Sequence, residues 1–155
     1  MELSRLSTKN QMYKVWDVDL RTEITADVHR IFHALTLAEY LETWLCFPNA
    51  NRYGCVEVTQ VAKQFSIEVN RTRKANGFIK IKGEHLVRDP NEIVFTWVKQ
   101  HGTSIPETIV CVKLTPNYRA TDVKLSHIGF VDYKERMWHE DMWRTSFEKL
   151  RQIMH

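Results

Sequence analysis

The chain has 155 residues, of which 43% are hydrophobic and 26% charged, with a net charge of +3. That balance describes an ordinary globular domain with enough apolar residues for a real core. It excludes a membrane span, since no apolar run approaches ~18 residues, and the mild positive charge is too weak to argue for nucleic acid.

Residues 1–12 are polar and read as a flexible tail, leaving 13–155 as a single domain. The amino terminus lacks the apolar stretch of a signal peptide, so a cytoplasmic location is expected. Strict alternation follows. Trp16, Val18, Leu20 and Ile24 share one face and Asp17, Asp19, Arg21 and Glu23 the other, which predicts a half-buried strand. The period then becomes helical. Asp27 can cap a first short helix with Val28, Ile31, Phe32 and Leu35 inward. Thr36, with Glu39 three residues on, predicts a capping box for a second, with Leu37, Tyr40, Leu41 and Trp44 inward. "CFPNANRYG" has the composition of a loop.

From Cys55 to Phe130 about six strands are expected, joined by turns at Asn76-Gly77, "RDPNE" and Pro116-Asn117. Phe65, Ile67 and Val69 fall on one face. So do Ile79, Ile81, His85 and Val87; Thr108, Val110, Val112 and Leu114; and Val123, Leu125 and His127. The run 93–98 is apolar on both faces, leaving the phase of Phe95 and Trp97 open. Short connections imply an antiparallel sheet. A long amphipathic helix then runs from about Asp132, which with Glu135 predicts another capping box. Its apolar stripe carries His139, Trp143, Ser146, Phe147, Leu150 and Met154, while Glu135 belongs to the solvated side. Only this helix is long enough to cover the sheet, and a curved sheet around one helix leaves room for a pocket.

Within that helix, "MWHEDMW" raises the question of a metal. A zinc helix of the HExxH kind needs a second histidine where Trp143 stands, so no metal is expected. Three cysteines without CxxC spacing suggest neither a disulfide framework nor a zinc ribbon. The chain has no Gly-rich phosphate loop, no GxSxG and no dinucleotide fingerprint, and no cofactor is expected. Cations cluster at "NRTRK" and "KIK", but without interleaved aromatics they read as a solvated hairpin tip. His85 and His127 sit on apolar strand phases. Each is either a hydrogen-bonded core residue or a polar handle in an apolar pocket. No inward carboxylate accompanies them, unless folding brings Glu84 or Glu107 close.

"ITADVHRIFHALT", the pair Thr43-Trp44, "PNEIVFTW", "VKLSHIGF" and "HEDMWRTSFEKL" occur in an order and spacing that resemble one family. It is the SRPBCC (START-like, helix-grip) superfamily, and within it the group named after the C-terminal domain of the activator of Hsp90 ATPase. The resemblance covers about residues 13 to 153. It implies an α+β helix-grip fold, with a curved antiparallel sheet wrapped around the C-terminal helix and two short helices after the first strand. Where such chains often carry a glycine before the helix tryptophan, this one has Met142, which would narrow the cavity or alter its entrance.

The cavity expected from this fold draws on Trp44, Phe65, Ile67, Ile81, His85, Phe95, Trp97, Val110, Val112, Leu125, His127, Trp143 and Phe147. It predicts a small hydrophobic ligand as partner. The same resemblance allows a chaperone-linked interaction protein, or a cyclase-like or hydrolytic enzyme. A homodimer is compatible with a domain of this size.

Overall fold

The computed structural model describes residues 15–48, 55–70, 79–101 and 103–154. The expected tail 1–12, the Asn76-Gly77 turn and most of the loop after Cys46 lie outside the described residues. β1 (Trp16–Ile24) buries Val18 and Ile24 on the predicted face. α1 (Val28–Thr36) starts at Asp27, whose carboxylate accepts the Arg30 N–H at 2.9 Å. α2 (Ala38–Trp44) follows after one residue. β2 (Cys55–Val61), β3 (Gln64–Asn70), β4 (Ile79–Asp89), β5 (Glu92–His101), β6 (Thr103–Ser104), β7 (Thr108–Asn117) and β8 (Ala120–Phe130) come next, and α3 (Tyr133–Ile153) closes the chain. The sheet order is β1-β8-β7-β5-β4-β3-β2, every pair antiparallel, with β6 a two-residue addition to β5. This is the α+β helix-grip architecture: a curved sheet holding α3 against its inner face, with α1 and α2 across one end.

The inner face follows the predicted phases, and the open one is settled. Ile93, Phe95 and Trp97 are buried, and the alternation continues to Lys99, which is only 5% exposed. Across the sheet lie the buried His139, Met142, Trp143, Ser146, Phe147 and Leu150 of α3.

Local expectations needed correction. Thr36 does not cap α2, because its hydroxyl donates back to the Phe32 carbonyl at 2.7 Å. A side chain of the neighbouring strand serves the junction instead. The Gln60 amide accepts the Ala38 N–H and donates to the Thr36 carbonyl, both at 2.7 Å. Leu37 and Tyr40, expected inward, are 37% and 46% exposed, since a seven-residue helix can bury only one narrow stripe. That stripe is Leu41 and Trp44, and the Trp44 indole fastens α2 to α1 by donating to the Ala34 carbonyl at 2.8 Å. The capping box of α3 is half made. Asp132 accepts the Lys134 N–H, but the Glu135 carboxylate turns to Lys99 at 2.9 Å. Pro116 and Asn117 stay in the ladder opposite Thr121 and Ala120, so the turn falls on Tyr118–Arg119, where Tyr118 takes a φ of 57°. Val87 leaves the inner face because the β4–β5 register shifts between His85 and Val87.

Gly83 stands where the sheet leaves no room for a side chain. A Cβ there would overlap the Thr96 carbonyl and the Phe65 ring. Beside it, the Glu84 N–H bonds the Thr96 hydroxyl at 2.9 Å instead of a ladder carbonyl. A Gly83→Ala substitution should therefore cost about 2 kcal/mol or more, read as a lower urea midpoint; an unchanged midpoint would show that the Thr96 strand and the Phe65 ring give way freely.

Candidate functional site

Between the inner face of the sheet, α3 and the two short helices lies a cavity of about 30 Å3. Nine predicted residues line it: Trp44, Phe65, Ile67, His85, Phe95, Trp97, Val112, Leu125 and Trp143. Four others do not. Ile81 and Val110 are closed over in the core, Phe147 packs between Trp44 and Trp143, and His127 lies behind the tryptophans. Leu35, Leu41 and Leu45 complete the wall. The first two were legible as inward helix positions, but nothing in the sequence says that the helical pair closes over the same space as the sheet. The volume is that of a small filling, far below the ~300–1,000 Å3 of drug-sized sites. Met142, at the position where a glycine is common, is wholly buried on the same helix but is not among the lining residues.

Behind the cavity runs a hydrogen-bonded chain that fixes the state of two histidines. An indole N–H can only donate. Trp143 Nε1 lies 2.9 Å from His127 Nδ1, so that nitrogen accepts and the proton sits on Nε2. Nε2 then donates to the Thr108 hydroxyl at 2.7 Å, which donates on to the Trp97 carbonyl at 3.1 Å. Trp97 Nε1 lies 3.0 Å from His139 Nε2, so His139 carries its proton on Nδ1 and donates to the Glu135 carbonyl at 2.6 Å. The two imidazoles are neutral, of opposite tautomer, and fully used. His127 is thus a core residue, with no nitrogen left for a ligand.

Burial, more than any neighbour, holds both histidines below the ordinary imidazole pKa. His139 is lowered to about 3, with Lys99 adding to the shift and the Glu135 carbonyl opposing it. His127 is well below its ordinary value through burial and the adjacent His139. Protonating either would set an N–H against an indole N–H. Lys99 closes this end, bonded to Glu135 and standing 3.6 Å over the Trp138 ring. Its place continues the alternation of Ile93, Phe95 and Trp97, but a lysine is not expected to be buried until its partner is known.

His85 is different. It is 5% exposed, packed against Phe65 and Phe95, and its Nδ1 lies 3.2 Å from Arg88 Nη2. A guanidinium only donates, so Nδ1 accepts and Nε2 bears the proton. The pKa of His85 is lowered to about 4, first by burial and then by Arg88, against a backbone hydrogen bond with Lys63. Glu84 and Glu107 do not approach either histidine. They line a separate groove of about 400 Å3 with Thr59, Val61, Lys82 and Val98 on the outer face of the sheet.

The remaining motifs resolve simply. Glu140 is held by Arg136 and Arg144 at 3.2 and 3.6 Å, and Asp141 is exposed, so "HEDM" gathers no ligand set. Among the described residues no three His, Cys, Asp or Glu side chains converge as metal ligands. Of the cation cluster, Lys80 pairs with Glu68 and Lys82 borders the outer groove, while 71–78 lie outside the described residues. Among the described residues no helix is long and apolar enough to cross a membrane.

The neutral histidines make stability depend on pH. Below pH 6.5 the unfolded chain takes up protons that the folded chain refuses, down to about pH 3 at His139. Stability is therefore lost as pH falls through that window, by up to about 1.4 kcal/mol per pH unit for each histidine. Urea midpoints measured from pH 7.5 to 4.5 should fall steeply, and His139→Gln should remove one histidine's share of the slope. A flat profile would contradict the neutral assignment.

The architecture has many solved counterparts. Protein CV1439 from Chromobacterium violaceum superposes with a TM-score of 0.73 at 16% identity, over 89% of this chain and 96% of that one. The AHSA1 (SPO3351) protein from Silicibacter pomeroyi gives 0.68 at 20% identity, over 88% and 96%. Protein MLL2253 from Mesorhizobium loti gives 0.65 at 22%, over 88% and 95%. At such identities these likenesses establish the fold alone. No curated protein sequence matches the chain. Residues 25–155, however, match the family model described as activator of Hsp90 ATPase homolog 1-like protein, and the chain belongs to that family.

Proposed function

We propose that this protein binds a small, largely apolar molecule in the cavity between the sheet and α3. The observation that carries the reading is an interior space walled by Trp44, Trp97, Trp143, Phe65, Phe95 and aliphatic side chains, with His85 the one titratable group on its lining. Burial of apolar surface, roughly 25 cal/mol per Å2, drives such binding. The present volume suits only a few atoms, so larger guests require the leucine wall to yield. That wall is the natural moving part. Leu35, Leu41 and Leu45 belong to the two short helices and the segment after them, which β2 holds through the side chains of Gln60 and Glu42. A cytoplasmic location and a single domain over 13–155 belong to the same reading.

An acid–base enzyme is less well supported, since the carboxylates Glu84 and Glu107 face the outer groove and His127 is fully bonded. The outer groove favours a second reading, a chaperone-linked interaction protein using that surface. Recovery of an Hsp90-type chaperone in a pull-down, lost on Lys82→Glu, would support it.

Native mass spectrometry of freshly purified protein should detect a bound small molecule, and benzene-sized apolar probes should perturb tryptophan emission. Leu45→Ala should lower stability by about 2–4 kcal/mol while tightening binding of the same probes through the added room. Absence of any bound species, together with no response to probes in either variant, would defeat the proposal.

A further inference from the structure

We infer that a second binding site, for a small apolar monocarboxylate, lies on the side of the two short helices away from the cavity. It goes beyond the binding reading above and does not rest on it.

The helical pair has two working faces. Leu35, Leu41 and Leu45 wall the cavity. Arg30, His33 and Ala34 of α1, Tyr40 of α2 and Met154, which follows α3, enclose a separate hollow of about 190 Å3. The two spaces share no lining residue. Helical spacing is the reason. Residues 30, 33 and 34 stand at i, i+3 and i+4 and share one face of α1, while Ile31 and Leu35 hold the buried one. In each helix neighbouring residues serve different spaces, Ala34 and Leu35 in α1, Tyr40 and Leu41 in α2.

The hollow has an apolar floor and a polar mouth. Ala34 is buried and Met154 packs half-buried against the core. Arg30, His33 and Tyr40 line the same space yet are exposed, so their polar ends stand at its opening. Each carries a donor: a guanidinium, an imidazole with an N–H in either tautomer, and a phenol. Outside the helical ladder and among the described residues, these three make hydrogen bonds through the backbone alone, Arg30 to Asp27, His33 to Leu37 and Tyr40 to Leu37 and Thr43. No ion pair reaches them among the described residues. No carboxylate lines the hollow, and that of Asp27, one turn before Arg30, already accepts the Arg30 N–H at 2.9 Å.

Donors around an apolar floor select an acceptor head on an apolar body. Arg30 brings one fixed positive charge, and a guanidinium matches a carboxylate by two parallel hydrogen bonds. Inorganic phosphate fits less well. Its second charge has no fixed partner on the lining, and it has no apolar body to set on Ala34 and Met154.

The test is a chemical-shift titration of the full chain with benzoate, benzyl alcohol and inorganic phosphate at low salt. Benzoate should shift Ala34, Tyr40 and Met154 to saturation and bind about tenfold more tightly than benzyl alcohol, the worth of one charge-assisted hydrogen bond. Phosphate should bind more weakly than benzoate. That comparison needs no variant. Arg30→Gln changes an exposed residue and should lower benzoate to the affinity of benzyl alcohol. Equal affinity for benzoate and benzyl alcohol, phosphate binding as tight as that of benzoate, or an Arg30→Gln profile identical to the original would each overturn the inference. So would benzoate shifts gathered at the cavity tryptophans instead of at Ala34 and Met154. None of these results touches the cavity reading, which answers to neutral apolar probes.

Discussion

An indole N–H buried in an apolar core must find an acceptor, and this fold answers that need twice at one place. Trp97 comes from the sheet and donates a hydrogen bond to His139 on the helix, and Trp143 comes from the helix and donates one to His127 on the sheet. The two bonds cross the interface in opposite directions. Each is possible only while its histidine is neutral and held in one tautomer, so helix register, strand phase and protonation state are set together. Sliding α3 by one residue would strand both indoles. Apolar burial alone would attract the helix to the sheet; the reciprocal donors and acceptors say where along the sheet it stops.

The other end of the molecule is built on different terms. There α1 and α2 rest on the edge strand β2 through polar side chains. Gln60 answers the broken backbone at the helix junction, and Glu42 accepts the outward Val58 N–H at 2.8 Å. The cavity lies between the two ends. Its floor includes the tryptophans of the fixed end, and its roof is the leucines of the lighter one. Ser146 adds a tether, its hydroxyl accepting the Cys46 N–H at 2.8 Å just past the roof.

Most of the architecture was legible because it rests on periodicity. Alternation placed Val18, Ile67, Val112 and Leu125 inward, and the 3.6-residue stripe oriented Trp143 and Phe147 correctly. Periodicity fails where a neighbour decides. Thr36 and Glu39 have the letters of a capping box, but the strand that supplies Gln60 is distant in sequence. Glu135 looked solvated until Lys99, on another element, came beneath it. Within the site, phase put His127 inside but said nothing of whether its nitrogens were free. That depended on Thr108 and Trp143, one from a neighbouring strand and one from the last helix. Lining a space, unlike pointing inward, is a property of the assembled walls, which is why Ile81, Val110 and Phe147 were inside and still not at the cavity.

The Glu42 contact has one more consequence. An edge strand is an invitation to polymerise, and proteins commonly decline it with lysines, prolines or bulges. Here, at one rung of β2, a carboxylate borrowed from a helix occupies the position another chain's carbonyl would take. The same contact that ties α2 to β2 also guards that rung. Parting α2 from β2 would uncover that rung and offer an unpaired edge to another copy of the chain.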